Sequence, residues 1–264
     1  MVRAMALRLI TTPISHFCEK ARWALERAGL PYEEDAHLPL FQYPAVRKAG
    51  GTRQVPVLMT PSGGVADSTA ILRWIDTQVE PMKRLFPVDD PSILADVVAL
   101  EERFDQVLGP AARRVAYLHL LPRAHVLKRY LAPTVPAFEK AIFPAFLPLL
   151  VRLIRTALKV TPEKAARDHE KLVKLFGELS ERLSDGRRYL TGDRFTAADL
   201  TFASLAAPVL LPKEYGVPLP TLDEVSPEFR ALLEQFRATR AGTLAMRLYR
   251  EERRPAEASL RQAS

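Results

Sequence analysis

The sequence predicts a small mixed α/β domain followed by a larger all-helical one. Up to about residue 80 the apolar period switches back and forth between the strand and helix repeats, and after Pro81 only helical spacing remains. Between the halves, Glu80 to Asp90 is rich in Pro and Asp, which suits a linker. The boundaries read 1–80 for the first domain, 81–90 for the linker and 91–264 for the second, with a long basic and apolar insertion at about 120–162.

Each element has its own reason. Ala6 to Ile10 is a short apolar run broken by Arg8, hence a strand, and Thr11 to Ser15 is a turn around Pro13. Phe17, Ala21, Ala24, Leu25 and Ala28 recur at helical spacing until Gly29 stops the helix. Pro31 reopens the chain into an extended Tyr32 to Ala36, and Phe41 to Ala49 is a short helix ending at Gly50-Gly51. Val55 to Met59 is a third strand, Pro61-Ser62-Gly63-Gly64 a hairpin turn and Val65-Ala66 a fourth strand. Ser68 then caps a helix carrying Ile71, Leu72, Trp74, Ile75 and Val79. In the second half, Ile93 to Leu121, Glu163 to Leu183, Ala197 to Leu211 and Pro227 to Leu248 read as helices. The tail Arg250 to Arg254, followed by Pro and small residues, reads as a frayed terminus.

Composition narrows the function classes. The chain has 264 residues, 48% hydrophobic and 26% charged, enough to bury a core and too apolar for a disordered chain. The single cysteine, Cys18, forbids an internal disulfide and a cysteine-built zinc site. The five histidines show neither HExxH spacing nor an i,i+4 pair, so no metal is expected. The first residues lack the apolar core of a signal peptide, which points to a cytoplasmic protein. Ala141 to Val160 is the longest apolar stretch, and its Pro144, Pro148, Arg152 and Arg155 argue against a membrane-spanning helix.

Three short segments can carry chemistry. Pro13-Ile14-Ser15-His16-Phe17-Cys18 lies at the turn into the first helix, whose unpaired N–H groups and partial positive charge favour an anion. Ser15 is either a simple N-cap or the holder of that anion. In Gln54-Val55-Pro56-Val57-Leu58 the proline withholds a ladder donor, so it belongs at a strand start, with a cis Val55–Pro56 bond or as an ordinary edge proline. Asp67-Ser68 opens the next helix. Beyond capping, Asp67 can pair with an ammonium while Ser68 and the helix N–H groups hold a carboxylate, the two ends of an amino acid.

Taken together these segments resemble the cytosolic glutathione S-transferase family. SHFCEKARWAL is similar to the first-helix motif of the tau and omega classes, in which Ser or Cys opens a helix bearing an Arg seven positions on, here Arg22. QVPVL resembles the family's strand with a cis-proline, and VADSTAILRWID its γ-glutamyl motif. In the helical half, Gly192 to Leu200 resembles the family's capping box and staple, with Thr196 and Asp199 as the reciprocal pair and Phe195 packing on Leu200. The resemblance implies a thioredoxin-like N-terminal domain plus an all-α C-terminal domain, glutathione as co-substrate and a homodimer acting in detoxification. It implies that Ser15 donates a hydrogen bond to the glutathione sulfur. Val55 would pair with the cysteinyl part, Pro56 would open that strand, Gln54 would lie toward the glycyl end, and Asp67 with Ser68 would hold the γ-glutamyl end. Phe17 would sit beside the tripeptide. By position, Tyr117 and Leu121 would line the site of a hydrophobic electrophile between the domains.

The sequence also departs from the family pattern. His16 stands where Pro commonly follows the catalytic Ser or Cys, so Thr11 or Thr12 could supply the hydroxyl instead of Ser15. Asp67 replaces the commoner Glu and shortens that arm by one methylene. Cys18 occupies the second position of a CxxC motif whose first cysteine is absent, so it is either a buried small residue or a thiol able to form a mixed disulfide with glutathione. Between Gln106 and Pro162, nine Lys/Arg stand against Glu139 alone. That bias fits an enlarged pocket for a hydrophobic or acidic electrophile, a peripheral contact with anionic lipid, or a solvated basic face. Nucleic-acid motifs are absent. The expected activity is conjugation, or peroxide reduction, by a Ser15-stabilised glutathione thiolate; the competing expectation is a non-catalytic binding protein on the same fold.

Overall fold

In the computed structural model, residues 7–253 and 261–263 are described. The N-terminal half runs β1 (Leu7–Thr11), α1 (His16–Arg27), β2 (Tyr32–Ala36), α2 (Tyr43–Lys48), β3 (Val57–Thr60), β4 (Gly63–Ala66) and α3 (Ser68–Asp76). Helices follow: α4 (Pro91–Arg103), α5 (Gly109–Leu120), α6 (Ala124–Leu131), α7 (Ala137–Ala157), α8 (Pro162–Arg182), α9 (Ala197–Ala206), α10 (Pro227–Arg237) and α11 (Arg240–Glu251), then a short β5 (Arg261–Ala263). The sheet order is β4-β3-β1-β2-β5, with β1 parallel to β2 and antiparallel to β3. This is the thioredoxin-like domain plus all-α domain that the sequence predicts.

Several local expectations need correction. Pro56 is not an edge-strand proline: β3 lies inside the sheet, and the chain reaches it through a cis Val55–Pro56 bond just before the first ladder residue. Asp67, not Ser68, caps α3, its carboxylate accepting from Thr69 N and Ala70 N at 2.9 and 3.1 Å. The apolar run from Ile93 to Leu121 is two helices joined by a π-helical turn at Phe104–Leu108. Pro227 to Leu248 is also two helices, because the chain folds back at Ala238-Thr239 so tightly that a Cβ on Gly242 would lie 1.9 Å from Phe236 O. Periodicity cannot see either break, since the apolar spacing continues across both.

The insertion forms α6 and α7. Pro144 and Pro148 lie inside α7 without ending it. Both sit on the solvent side, while Glu139, Phe143, Leu147 and Leu150 make the buried stripe, so the carbonyls these prolines leave unpaired face water. Among the described residues no single helix is long and apolar enough to cross a membrane.

The supposed frayed tail is a clamp. Arg253 is 3% exposed, its Nε 2.8 Å from Glu19 Oε1 and its Nη1 paired with Glu26, while Glu252 receives Arg27 and Tyr189. Burial works against the Arg253 charge, yet Glu19 and Glu26 hold its pKa above the ordinary arginine value. Arg254 lies outside the described residues. Toward the linker, Asp76 accepts from Leu85 N and Phe86 N at 2.8 Å each, and Arg194 bonds Pro81 O, Arg84 O and Asp89. The capping box is formed: Asp199 accepts from Thr196 N at 2.9 Å and from Leu190 N at 2.8 Å. Phe195 packs among Trp23, Tyr189 and the Arg27 guanidinium.

A second tie joins the insertion to the sheet. Buried Glu139 on α7 takes His37 Nδ1 at 2.6 Å and Leu38 N at 2.7 Å, and His37 Nε2 stands 3.0 Å from Asp35 Oδ1.

Two predictions follow from these ties. Arg253→Met removes the buried cation that Glu19 and Glu26 share and costs about 3–5 kcal/mol in urea unfolding. Arg250→Met, on the exposed side of α11, stays within about 0.5 kcal/mol. For His37, the bond to Asp35 above all and then Glu139 raise the imidazole pKa from its ordinary value. A raised folded value contributes stability below about pH 6.5 that is lost as pH rises through it. Stability measured by urea unfolding should therefore fall in the window that opens above about pH 6.5, and less steeply in His37→Gln. Asp35, whose pKa is depressed, titrates below that window.

Candidate functional site

The turn Thr11–Ser15 carries the chain from β1 into α1, and Ser15 caps that helix with φ −69° and ψ 121°. Its Oγ accepts from Cys18 N at 3.4 Å, which engages an oxygen lone pair and leaves the hydroxyl hydrogen to be donated elsewhere. Tyr215 OH donates to Ile14 O at 3.3 Å and holds the turn from the helical side. Thr11 is excluded as an alternative donor, because it is fully buried and gives its hydroxyl to Glu34 Oε1 at 2.7 Å. Thr12 remains in the wall beside Ser15.

One interdomain cleft collects the sequence-predicted residues. Ser15, Phe17, Gln54, Val55, Pro56, Asp67, Ser68, Tyr117 and Leu121 all line it. Its cavity volume of about 680 Å³ falls within the roughly 300–1,000 Å³ of a small-molecule pocket. On the sheet side, Val55 and Pro56 lead into β3, and the N-terminus of α3 presents Asp67 and Ser68. Asp67 is held at φ 82°, a conformation costing about 1–3 kcal/mol for a non-glycine residue.

The opposite wall comes from the helical domain. Pro110, Arg113, Tyr117 and Leu121 recur every three or four residues along α5 and its end, so one helical face is turned to the cleft. The insertion adds Leu150, Leu153, Ile154, Ala157 and Leu158 from α7 and its end. A more enclosed apolar recess, only about 40 Å³ in volume, shares Ile14, His16, Arg113, Tyr117 and Leu127 with the cleft and includes Leu120 and Tyr130.

His16 explains how the departure from proline is accommodated. It is buried and bonded through Nε2 to Gly109 O at 3.1 Å. Burial and then the Arg113 charge hold its pKa at about 3, so the ring is neutral and donates to that carbonyl. Gly109 also lets α5 approach Phe17 closely, since a Cβ there would lie 2.7 Å from Phe17 Cζ and displace the tip of that ring. The Ser15 turn is thus keyed to the start of α5, a contact no local motif announces.

Further cleft residues escaped sequence reasoning. Gln42 is 8% exposed, and its Oε1 has no hydrogen-bond partner among the described residues; Tyr43 and Arg53 share its side of the cleft. A buried acceptor and a nearby cation suit an amide N–H and a carboxylate. The loop before α2 has no regular spacing to signal them. Among the described residues no group of three or more His, Cys, Asp or Glu could hold a metal ion.

Cys18 lies sealed beneath this turn, its thiol beside the Ser15 side chain and the Thr12 backbone. It has no exposed surface, and burial pushes its thiol pKa up in spite of Arg22 and Ser15. A thiol reagent should leave Cys18 unmodified in the folded protein and label it after denaturation; rapid labelling of the native protein would contradict the burial.

A thioredoxin-like domain and a helical domain thus share one cleft, polar on the sheet side and apolar on the other. The "Glutathione S-transferase, N-terminal domain" family model matches residues 9–83, and the "Glutathione S-transferase, C-terminal domain" model matches 162–235. The chain belongs to the glutathione S-transferase family. Among solved structures it is similar to a glutathione S-transferase of Ceriporiopsis subvermispora in complex with glutathione, with TM-score 0.61, 19% identity, and coverage of 96% of this chain and 100% of that one. It is also similar to glutathione transferase F2 of Populus trichocarpa, with TM-score 0.55, 15% identity, and coverage of 92% and 99%. A third is a glutathione S-transferase of Methylobacterium radiotolerans in complex with glutathione sulfonate, with TM-score 0.52, 20% identity, and coverage of 92% and 95%. At these identities the likeness is one of fold. No curated protein sequence matches the chain.

Proposed function

We propose that this protein is a glutathione transferase in which Ser15 donates a hydrogen bond to the glutathione sulfur. The thiolate so stabilised attacks a hydrophobic electrophile lying against α5 and α7. The observation that carries this reading is the state of the Ser15 hydroxyl: its oxygen is engaged by Cys18 N–H, and it lines the same cleft as Val55, Pro56, Asp67 and Ser68. A free thiol has a pKa of about 8.5 and is mostly protonated at neutral pH, so a donor at the positive end of α1 is what its ionised form needs.

The backbone of Val55 would pair with the cysteinyl unit, Gln54 would lie toward the glycyl end, and Phe17 would flank the tripeptide. Asp67 would receive the γ-glutamyl ammonium, with Ser68 and the α3 N-terminus taking its carboxylate. Gln42 and Arg53 add an acceptor and a cation toward the glycyl end. In the transfer step the thiol proton leaves to solvent, a sulfur–carbon bond forms, and the leaving group departs with its electron pair. Tyr117 and Leu121 would line the electrophile's side. Pairing as a homodimer and a cytoplasmic setting belong to the same reading, and sedimentation and fractionation test them.

Ser15→Ala should lower kcat with 1-chloro-2,4-dinitrobenzene by about 10²-fold or more while calorimetric glutathione affinity changes little. Full activity in Ser15→Ala would move the role to Thr12, which Thr12→Val then tests. Tight glutathione binding by the wild type with no turnover across an electrophile panel would instead favour a non-catalytic binding protein. The buried thiol of Cys18 removes the premise of a cysteine-based reductase.

A further inference from the structure

The basic bias of the α5–α7 region resolves into different fates for its charges. Arg114 pairs with Asp168 and donates to Leu158 O at 2.9 Å. Arg129 pairs with Glu224. Lys128, Lys140, Arg152, Arg155 and Lys159 stand in solvent. Arg113 does neither. It is half-buried, it lines both the interdomain cleft and the adjoining apolar recess, and among the described residues it has no ion-pair or hydrogen-bond partner.

What surrounds Arg113 makes this unusual. The charged and titratable groups that act on it are Tyr117, one turn further along α5, and Arg114 beside it, and no carboxylate is among them. His16, across from it at the first turn of α1, is neutral. The other recess residues are largely apolar: Ile14, Ala116, Leu120, Leu127, Pro208, Leu211 and Leu219 are among them. A guanidinium remains charged under all ordinary conditions, and lowering it into such a wall without a counter-charge costs stability. Natural proteins keep a destabilising group of this kind where it does something.

We infer that Arg113 is the anion hook of the acceptor site, and that the protein's electrophiles are hydrophobic molecules carrying a carboxylate or comparable anion. This rests on the transferase reading above and narrows its substrate class. The planar fork can bind a carboxylate through two parallel N–H···O bonds, while Tyr117, Leu121, Leu127 and Leu150 of the cleft take the apolar body.

The test compares Arg113→Met and Arg113→Lys with the wild type on 4-chloro-3-nitrobenzoate and on its methyl ester. In both, glutathione sulfur bonds to the ring carbon and chloride leaves. Comparing each variant with the wild type on the same compound cancels the compounds' different intrinsic reactivity. Arg113→Met should lose about 10- to 100-fold in kcat/KM on the acid and less than about threefold on the ester. Arg113→Lys, which keeps the charge but not the fork, should fall between. Equal losses on both compounds, or none on either, would overturn the inference.

A second arm needs no turnover. Calorimetric titration with 4-methyl-3-nitrobenzoate, whose methyl cannot leave, should show at least about tenfold weaker binding in Arg113→Met, with the methyl ester unaffected. Wild type that turns over neither chloro compound, yet shows this charge-dependent binding, would sink the transferase reading and uphold the hook. Equal binding of the acid by wild type and Arg113→Met would sink the hook whatever the chemistry does. Because the methionine relieves an uncompensated charge, its Tm should equal or exceed the wild-type value, which separates lost recognition from lost folding.

Discussion

Everything in the site depends on how α1 is held, and α1 is held by buried charge. Glu19, Lys20 and Arg22 have no exposed surface although they occupy successive positions around the helix. Each is satisfied from a different direction. Arg22 bonds Glu34 on β2, Glu19 receives Gly216 N and Arg253, and Lys20 reaches Thr69, Glu101 and Asp105. A helix buried on all sides cannot be positioned by an apolar stripe alone, because burial of one side looks much like burial of another. Ion pairs are directional, and removing one partner from a buried pair is costly, so they fix rotation and height. The Ser15 end of α1 is therefore set by contacts with the sheet, with α3 and α4, and with the end of α11.

The same logic joins the two domains at the cleft. His16 to Gly109 O, Tyr215 to Ile14 O, and Glu139 to His37 and Leu38 all cross between the sheet domain and the helices. Lys20 and Thr69 tie the start of α3, one residue after Ser68, to the region around α4. The two walls of the cleft are thus held in register by polar links, while the apolar surfaces of α5 and α7 remain free to line it. Arg113 fits this division of labour: it is the charged group in that wall that the protein leaves uncompensated.

Much of the N-terminal architecture was legible because short-range chemistry governs it. β2 falls where the sequence places it, and Gly29 ends α1 with φ 68°, since a left-handed stop needs glycine locally. The polar side of the cleft was legible for the same reason, as Ser15, Val55-Pro56 and Asp67-Ser68 each lie at an element boundary with its own signature. The cap of α3 was misassigned by one residue because Asp and Ser are both good caps and only the backbone angles distinguish them. Gln42, Arg53 and Arg113 were not legible. The first two sit in or beside irregular loops, and Arg113 looks in sequence like any other member of a basic run.

The sequence by itself determined the order of the elements, the division into a mixed domain and a helical one, and the residue types at two helix starts and a strand start. Those depend on capping, periodicity and turn chemistry within a few neighbours. Tertiary structure alone decided which charges are buried, that Arg253 locks α1 rather than fraying, that Cys18 is inaccessible, and that Arg113 faces the cleft while Arg114 beside it is paired. The reason is physical: the fate of a charged side chain is set by the dielectric and the partners around it. Those are supplied by residues far away in the chain, whose approach no local pattern records.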